Sequence, residues 1–275
     1  KIMDTYISID QGTTSSRAIL FGEDGSILKT CQMEFEQIYP KPGWVEHNPE
    51  EIWETTKSVL SDIYYSEIAK KHNIRGIGIT NQRETTILWD KKSGKPLYNA
   101  IVWQDRRTAD FCKSLVKQGL EETVINKSGL VIDPYFSATK IKWILDNVPE
   151  ARSRAENNEI CFGTVDSFLL WKLTDGKVHA TDATNASRTS LYNIESLEWD
   201  DELLKIFDVP KSLMPDVKDS NSYFGDISKD VMNFELPILS ILGDQQAAAV
   251  GQACFKPGSI KSTYGTGCFV IINSG

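Results

Sequence analysis

The chain opens with short apolar runs separated by polar turn residues. Residues 5–9 and 18–21 are β-prone, and they flank the polar stretch 10–17. An Asp-Gly turn at Asp24 then leads into a third apolar run at residues 27–28. Because strands joined by so few residues pair antiparallel, this pattern predicts three consecutive antiparallel strands at the start of the fold.

A helix is predicted next, from a start signal and a one-sided apolar pattern. Asn48 stands in an N-cap position, Pro49 in the first turn, and Glu51 where the partner of a capping box belongs. The apolar residues that follow share one helical face: Ile52, Trp53, Val59, Leu60 and Ile63. We therefore predict an amphipathic helix that begins at Pro49.

Strands and helices alternate along the rest of the chain. Strands are predicted at residues 76–80, at 85–89 as a returning strand, at 100–103 and at 237–242. Helices are predicted at residues 108–117, 139–147 and 165–172, and an Ala-rich helix follows Gly243 and Asp244. Such alternation is typical of the α/β class.

A weak internal repeat predicts how the domains are organised. The polar tip 10–14 lies between two predicted strands, and a similar tip at 264–267 lies between predicted strands 259–262 and 269–272. Two such hairpins indicate a duplicated domain. We predict a first domain at residues 1–254 and the start of a second at 255–275, and we expect association or local disorder near the unpaired C-terminal hairpin.

Composition and charge narrow the class of protein. The 275 residues are 40% hydrophobic and 25% charged, as in an average globular protein. A net charge of −8 opposes binding to a phosphate backbone, so no nucleic-acid partner is expected. The apolar runs are far shorter than the roughly 20 residues that cross a bilayer. With no secretory pattern at the N-terminus, we expect a cytoplasmic protein without a membrane span.

Cysteine and histidine are too few and too scattered to carry the chemistry. The five cysteines never stand at metal-ligand spacing, which favours reduced thiols over a disulfide framework. Only three histidines are available as partners for a catalytic cysteine. Acid-base chemistry therefore falls to carboxylates.

Three sequence blocks together carry a specific resemblance. They are residues 10–17 (DQGTTSSR), 81–86 (NQRETT) and 243–248 (GDQQAA). In this order and spacing they resemble the glycerol kinases of the FGGY carbohydrate kinase family, and residues 135–143 (YFSATKIKW) are similar to a signature of that wider family. The resemblance runs along the whole chain.

The resemblance implies a fold and a domain arrangement. The fold is the ribonuclease H-like one of actin, hexokinase and the heat-shock ATPases, with two duplicated domains on either side of a cleft. It also implies a full length nearly double this one, so that only the first domain is essentially complete. The residues that bind adenine would then lie beyond this chain.

The polar tip after the first strand is suited to phosphate. Gly12 leaves closely spaced backbone amides accessible, and the neighbouring hydroxyls add further donors. An ordinary polar turn is the alternative. By resemblance, Asp10 is expected to act in catalysis and to face Mg²⁺ through water. The residues expected by resemblance to contact ATP are Thr13, Thr14, Ser15 and Arg17, with Thr266 and Gly267 from the second tip.

Arg83 and Glu84 combine a rigid multi-donor fork with a carboxylate acceptor, which together suit neighbouring hydroxyls of a polyol. By resemblance they bind glycerol, whereas a surface ion pair is the common outcome for adjacent Arg and Glu. The resemblance also implies Trp103 and Phe269 as apolar walls and Tyr135 as a hydroxyl partner. Without it, each aromatic residue would be assigned to the core.

Asp244 is the predicted general base. It follows a buried strand and Gly243, which would let substrate approach closely, and it precedes a helix whose N-terminus favours an ionised carboxylate. It should accept the proton of a glycerol hydroxyl, and Gln245 would add a substrate contact. The alternative is a helix N-cap, for which Asp is a preferred residue.

The resemblance thus implies ATP-dependent phosphorylation of glycerol to sn-glycerol 3-phosphate in glycerol catabolism, with ATP and Mg²⁺ as cofactors. The full-length protein is expected to be a homo-oligomer. Two alternatives stay open: another polyol or sugar kinase of the same family, and a glycerol-binding fragment without catalytic activity.

Overall fold

A computed structural model describes residues 2–265 and 267–275. Its strands are β1 Asp4–Gln11, β2 Ser15–Gly22, β3 Ile27–Glu34, β4 Glu46–His47, β5 Asn73–Asn81, β6 Ile87–Asp90, β7 Ala100–Ile101, β8 Ile160–Gly163, β9 Ala180–Asp182, β10 Tyr192–Asn193, β11 Glu198–Trp199, β12 Asp216–Lys218, β13 Ile238–Gly243, β14 Ile260–Tyr264 and β15 Cys268–Ile272. Its helices are α1 Pro49–Tyr64, α2 Ala109–Lys117, α3 Glu121–Ser128, α4 Ser137–Asn147, α5 Ala151–Glu156, α6 Val165–Leu173, α7 Ala183–Ala186, α8 Asp201–Phe207, α9 Lys229–Met232 and α10 Asp244–Gly251, with short 3-10 helices at Ala69–Lys71 and Lys211–Leu213.

A five-stranded mixed sheet organises the fold, in the order β13-β5-β1-β2-β3. The three predicted N-terminal strands are present and antiparallel, whereas β5 and β13 run parallel to β1. Gln11 therefore pairs with Asn81, which in turn pairs with Gly243. The three sequence blocks, which follow β1, β5 and β13, meet at one edge of the sheet.

One face of this sheet packs against α1 and α6 in the larger hydrophobic core. Ile7, Ile9 and Leu20 of the strands are buried there with Ile52 and Leu60 of α1. Alternate residues of β1 and β2 point to this face, as the pleat of a strand requires. The amphipathic pattern of α1 thus supplies the cover of the sheet.

The start of α1 differs from prediction in one detail. Pro49 is its first residue, and the Asn48 side chain accepts a hydrogen bond from the Glu50 amide at 3.0 Å. The predicted capping box is wrong, because the Glu51 carboxylate accepts from the Glu36 amide at 3.0 Å instead. The preceding segment folds back beside the helix and brings the Glu36 amide within hydrogen-bond distance of Glu51.

A second hydrophobic core surrounds α4 and the pair β6–β8. The prediction that β6 returns beside β5 is wrong, since β6 pairs antiparallel with β8, with Leu88 opposite Phe162. The predicted strand at 100–103 shortens to Ala100–Ile101. Both differences come from partners that are distant in sequence, and β8 itself carried no strong local signal.

A separate hairpin, β14–β15, follows α10. Its cross-strand pairs leave one face exposed, with the side chains of Ile260, Tyr264, Val270 and Ile272 at 58–81% exposure. The other face turns toward α10, where Lys261 Nζ donates to Gln245 Oε1 at 2.6 Å. Within the described residues, the helices include none with the length and apolar character of a membrane span, and all five cysteines are free.

Candidate active site

A cleft of about 310 Å³ opens at the sheet edge where the three sequence blocks meet. Most of the residues selected from the sequence line it: Thr13, Thr14, Arg17, Arg83, Glu84, Trp103, Tyr135, Asp244, Gln245, Gly267 and Phe269. Thr263 and Gly265 complete the lining and were not selected. Thr266 lies outside the described residues, and neither Asp10 nor Ser15 is among the lining residues.

Three charged side chains meet in one corner of this cleft. Arg83 Nε lies 3.1 Å from Asp244 Oδ1 and 4.0 Å from Glu84 Oε1. The Arg83 and Glu84 side chains are only 4% and 2% exposed, so they do not form the surface ion pair considered above. A buried cation held between two carboxylates is a costly arrangement that suits a polar ligand better than an apolar core.

Gly243 makes room for the Arg83 side chain. A Cβ at Gly243 would lie 2.7 Å from Arg83 Cδ and 2.8 Å from its Cγ. The expectation that this glycine opens the approach for substrate needs correction, because the stem of Arg83 already fills the space. Gly243 also occupies the N-cap position of α10, so Asp244 is the first helical residue and not the N-cap.

Burial governs the charge of Asp244. Although 38% of its side chain is accessible, the walls of the cleft surround the carboxyl and raise its pKa to about 6. The Arg83 guanidinium opposes this shift, as does the Gln245 amide, which donates to Asp244 Oδ1 at 2.7 Å. Such a carboxyl exchanges a proton near neutral pH, as a general base must.

Glu84 is held in a strained conformation. Its φ of 62° lies in the left-handed region that few residues other than glycine adopt. Hydroxyls of Thr86 and Ser137 both donate to its carbonyl at 3.0 Å, and Arg188 Nε donates to its carboxylate at 2.6 Å. The surrounding structure thus fixes both ends of this residue.

Arg188 is a neighbour of the site that sequence reasoning missed. It lies in the loop after α7, and its guanidinium lies 5.3 Å from the ring centroid of Tyr135. A single arginine in a loop of small polar residues gives no periodic signal. Only the tertiary contact with Glu84 reveals it.

Aromatic side chains form the remaining walls and do not belong to either core. The Trp103 ring lies 5.8 Å from those of Tyr135 and Phe269, edge to face in each case. Trp103 Nε1 also donates to Thr13 Oγ1 at 3.0 Å, which joins this wall to the first hairpin tip. A Cβ at Gly267 would lie 2.7 Å from Phe269, so only glycine lets this ring close against the tip.

The first hairpin tip turns its carbonyls toward the protein. Gln82 Nε2 donates to the Gly12 carbonyl and Gln37 Nε2 to the Thr13 carbonyl, both at 3.0 Å, and the Thr14 carbonyl accepts from Phe35. Within the described part of the chain, the Thr13 and Thr14 amides have no acceptor. Unpaired amides at a polar tip form an anion-binding concavity.

Ser15 and Arg17 behave differently from the threonines. The Ser15 hydroxyl accepts a hydrogen bond from Gln32 Nε2 at 2.9 Å, and this contact engages it with β3. Arg17 lines the cleft, and its guanidinium lies 3.2 Å from Asp10 Oδ2. Of these two side chains, only Arg17 is positioned at the cleft wall.

The surroundings of Asp10 indicate whether the site could hold a magnesium ion. Its carboxyl is 30% accessible, and burial raises its pKa, although Arg17 opposes the shift. Among the described residues, no three His, Cys, Asp or Glu side chains cluster as a metal centre. One carboxylate beside a polar hairpin tip fits an ion such as Mg²⁺, which keeps much of its water and needs few protein ligands.

The sheet order and the position of the cleft define the class of protein. A sheet in which three antiparallel strands are extended by parallel ones, with polar hairpin tips at its edge, is the actin- and hexokinase-like fold of sugar kinases. A solved glycerol kinase of Plasmodium falciparum with ADP superposes with a TM-score of 0.94 at 38% identity, over 98% of this chain and 54% of that one. A xylulose kinase from Rhodospirillum rubrum superposes with a TM-score of 0.88 at 20% identity, over 98% of this chain and 55% of that one.

Residues 5–251 match the N-terminal domain of the FGGY family of carbohydrate kinases, and the chain therefore belongs to that family. It is 58% identical to a glycerol kinase of Petrotoga mobilis over 274 aligned residues. The alignment covers 99% of this chain and 55% of that protein. The chain is 60% identical to a glycerol kinase of Marinomonas sp., over 99% of this chain and 56% of that protein. The chain spans about half the length of the curated relatives it matches. The resemblance and fold class drawn from the sequence are confirmed.

Proposed function

We propose that the protein to which this chain belongs is a glycerol kinase, which transfers the terminal phosphoryl group of ATP to a primary hydroxyl of glycerol. The proposal rests on one observation: the buried cluster of Arg83, Glu84 and Asp244 lies in the same cleft as the first hairpin tip, whose Thr13 and Thr14 amides are unpaired among the described residues. Relatives that share more than half of the residues of this chain bear that name.

Each side of the cleft has one task in this reaction. Arg83 donates to glycerol oxygens and Glu84 accepts from glycerol hydroxyls, while Trp103, Tyr135 and Phe269 enclose the carbons. Lys261 occupies the oxygen of the Gln245 amide, so the amide nitrogen of Gln245 is left to donate toward the substrate. The acceptor hydroxyl is then held in line with the incoming phosphoryl group.

The chemical step moves one proton and one phosphoryl group. The primary oxygen of glycerol forms a bond to the γ-phosphorus, the bond from that phosphorus to the bridging oxygen breaks, and ADP leaves. The Asp244 carboxylate takes the hydroxyl proton as the new bond forms. The product is sn-glycerol 3-phosphate.

The side of the cleft formed by the two hairpin tips is assigned to the phosphates of ATP. Amides and hydroxyls of Thr13 and Thr14, with Arg17, bind phosphate oxygens, and Gly267 and Thr266 contribute from the second tip. Ser15 contributes its amide in this proposal, since Gln32 engages its hydroxyl. Asp10 would hold Mg²⁺ through water, and the bound ion would supply neutralising charge to the phosphates. We further propose that the full-length enzyme is a cytoplasmic homo-oligomer.

The first experiment is ADP release by the full-length protein with glycerol and Mg-ATP. Asp244→Asn is expected to lower kcat roughly a hundred- to ten-thousandfold, the usual contribution of a general base. The matched control Asp110→Asn changes an exposed carboxyl on α2 and should leave kcat unchanged. Xylulose, gluconate and erythritol are tested as alternative acceptors.

The pH dependence adds a second readout for the same residue. Because the pKa of Asp244 is raised to about 6, turnover should fall as the pH drops through 6 and the carboxylate is protonated. Faster turnover with xylulose or gluconate than with glycerol would identify that compound as the substrate. An Asp244→Asn variant as fast as the parent would reduce Asp244 to a binding role, and absence of turnover in the parent would favour the non-catalytic alternative.

A further inference from the structure

Lys140 is a fully buried cation with no part in the reaction proposed above. It belongs to the stretch 135–143, from which only Tyr135 received a role. Its side chain is 1% exposed, on the inner face of α4. Burying an ammonium is costly unless every donor is satisfied, so its partners indicate what it does.

The Lys140 ammonium binds three consecutive backbone carbonyls. Its Nζ donates to the carbonyls of Pro134, of Tyr135 at 2.8 Å and of Phe136 at 3.0 Å. An ammonium has three donors, and all three are used on one segment of chain. The backbone around Tyr135 is therefore tied to α4 from behind.

The tied segment carries a wall of the cleft. Tyr135 lines the cleft, and its ring packs edge to face with Trp103 at 5.8 Å. Two amides of the segment also donate to Asp133, that of Tyr135 to its Oδ1 at 2.8 Å and that of Phe136 to its carbonyl at 3.4 Å. If the carbonyls were released, only the bonds to Asp133 and side-chain packing would set the position of the ring.

Other residues of α4 hold neighbouring walls in the same way. The Ser137 hydroxyl donates to the carbonyl of Glu84 at 3.0 Å. The Thr139 and Thr108 hydroxyls are hydrogen-bonded at 2.7 Å, which anchors the chain just beyond the loop of Trp103. One helix thus contacts the segment of Tyr135, the loop of Glu84 and the chain that follows the loop of Trp103.

We propose that Lys140 is a positioning residue for the acceptor side of the cleft, and that its ammonium holds the backbone of residues 134–136 so that Tyr135 stands in place against glycerol. The identity of the acceptor rests on the function proposed above. The tie between Lys140 and the segment is independent of that function.

The charge of Lys140 connects this role to pH. Burial lowers the pKa of its ammonium to about 8, while Glu84, Asp105, Asp133 and Cys112 oppose the shift. A neutral amine has two donors for three carbonyls, so the segment loosens as the pH rises through 8.

Other groups around the segment do not titrate in this range. Burial raises the pKa of the Cys112 thiol to about 11 and raises that of the Tyr135 hydroxyl above its ordinary value. Arg106 also faces the segment, through its ion pair with Asp133 at 2.8 Å. Lys261, which donates to Gln245 in the cleft, also has a pKa lowered by burial. An alkaline change in glycerol binding that persists in Lys261→Met can therefore be assigned to Lys140.

The test compares Lys140→Met with Lys142→Met in the full-length enzyme. Methionine keeps the approximate volume of lysine without its donors, and Lys142 is a partly exposed lysine of the same helix that pairs with Asp146. In Lys140→Met the glycerol KM should rise about tenfold with little change in kcat or in the KM for ATP, as expected for loss of uniform binding. In Lys142→Met all three constants should stay unchanged.

A second measurement is independent of turnover. Amides of residues 133–137 should exchange hydrogen faster in Lys140→Met than in the parent or in Lys142→Met. If the parent does not phosphorylate glycerol, the proposed function fails and the exchange rates alone decide the role of Lys140. Unchanged exchange in this segment, or an unchanged glycerol KM in an active enzyme, would overturn the proposal.

If Lys140→Met does not fold, the pH dependence of the glycerol KM of the parent enzyme tests the proposal instead. This KM should then rise between about pH 7.5 and 9, across the pKa of Lys140, while the KM for ATP stays level. A flat glycerol profile over this range would reduce Lys140 to a core residue without influence on the cleft.

Discussion

Gly243 has no side chain, and the Arg83 stem occupies the space that a side chain would fill. Arg83 can therefore cross the end of β13 and reach both Glu84 and Asp244. The local motif indicated that a small residue was needed here, but it did not indicate which group approaches. The geometry of the charged corner depends on this one absent methyl group.

Gly243→Ala should therefore raise the glycerol KM about tenfold or more, because its Cβ would lie 2.7 Å from Arg83 Cδ and displace the guanidinium. The backbone φ of −60° suits alanine, so strain in the main chain is not the cause. Steady-state kinetics of the full-length enzyme measures the effect. Gly251→Ala is the matched control, since its Cβ would meet no atom within 4 Å. Equal glycerol KM values in the two variants would contradict this account.

Among the secondary-structure elements, the N-termini of helices α6 and α7 carry two buried carboxylates, those of Asp166 and Asp182. Asp166 lies in the first turn of α6 and accepts from the Thr164 and Thr181 hydroxyls at 2.5 Å and 2.6 Å. Asp182 caps α7 through the amides of Thr184 and Asn185. Burial, with a smaller effect of Asp182, raises the pKa of Asp166 to about 7.

Asp166→Asn should gain stability relative to the parent as the pH rises from 5 to 8. In the unfolded chain an aspartate has a pKa near 4. The parent therefore loses stability from about pH 4 until the carboxyl ionises in the folded state near pH 7, and asparagine avoids this loss. Thermal unfolding at pH 5 and pH 8 measures the difference, with Asp110→Asn as the exposed control. If the stability of Asp166→Asn relative to the parent falls between pH 5 and pH 8, the folded protein tolerates the ionised Asp166 carboxylate and the prediction is wrong.

At the scale of the whole molecule, the terminal hairpin is the least covered part of the structure. Ile260, Val270, Ile272 and Tyr264 form one exposed face on a two-stranded sheet. Isolated two-stranded hairpins are marginally stable in water, and exposed apolar strands associate with other strands. The 275-residue chain by itself should therefore self-associate through this face.

Substitution of Val270 and Ile272 by lysine should shift the 275-residue chain toward monomer, because two like charges then face each other across any contact between copies. Light scattering over a range of concentrations measures this. The control pair Ile125→Lys and Leu197→Lys adds the same charge at exposed apolar positions outside the hairpin. A parent chain that stays monomeric at every concentration would exclude the association.

Patterns among near neighbours in the chain predicted much of the local structure. Alternation of apolar residues set the first three strands, and the cap at Asn48 set the start of α1. These features succeed because they depend on near neighbours in the chain: strand alternation, turn residues and helix caps. Family resemblance supplied most of the residues that line the cleft, both in the three sequence blocks and in the aromatic walls, which no periodicity separates from core residues.

No local pattern predicted the contacts that the folded structure makes between segments. The tertiary fold paired β6 with β8, brought Arg188 to Glu84, filled the space above Gly243 with Arg83, and placed the Lys140 ammonium behind Tyr135. The first three of these contacts join residues that are far apart in the chain, and their energy appears only after the intervening chain has folded. Lys140 and Tyr135 are five residues apart, but their contact also depends on the turn that leads into α4. Charged groups carry no periodic signal for such partners, because what makes their burial tolerable is the geometry of the other segment.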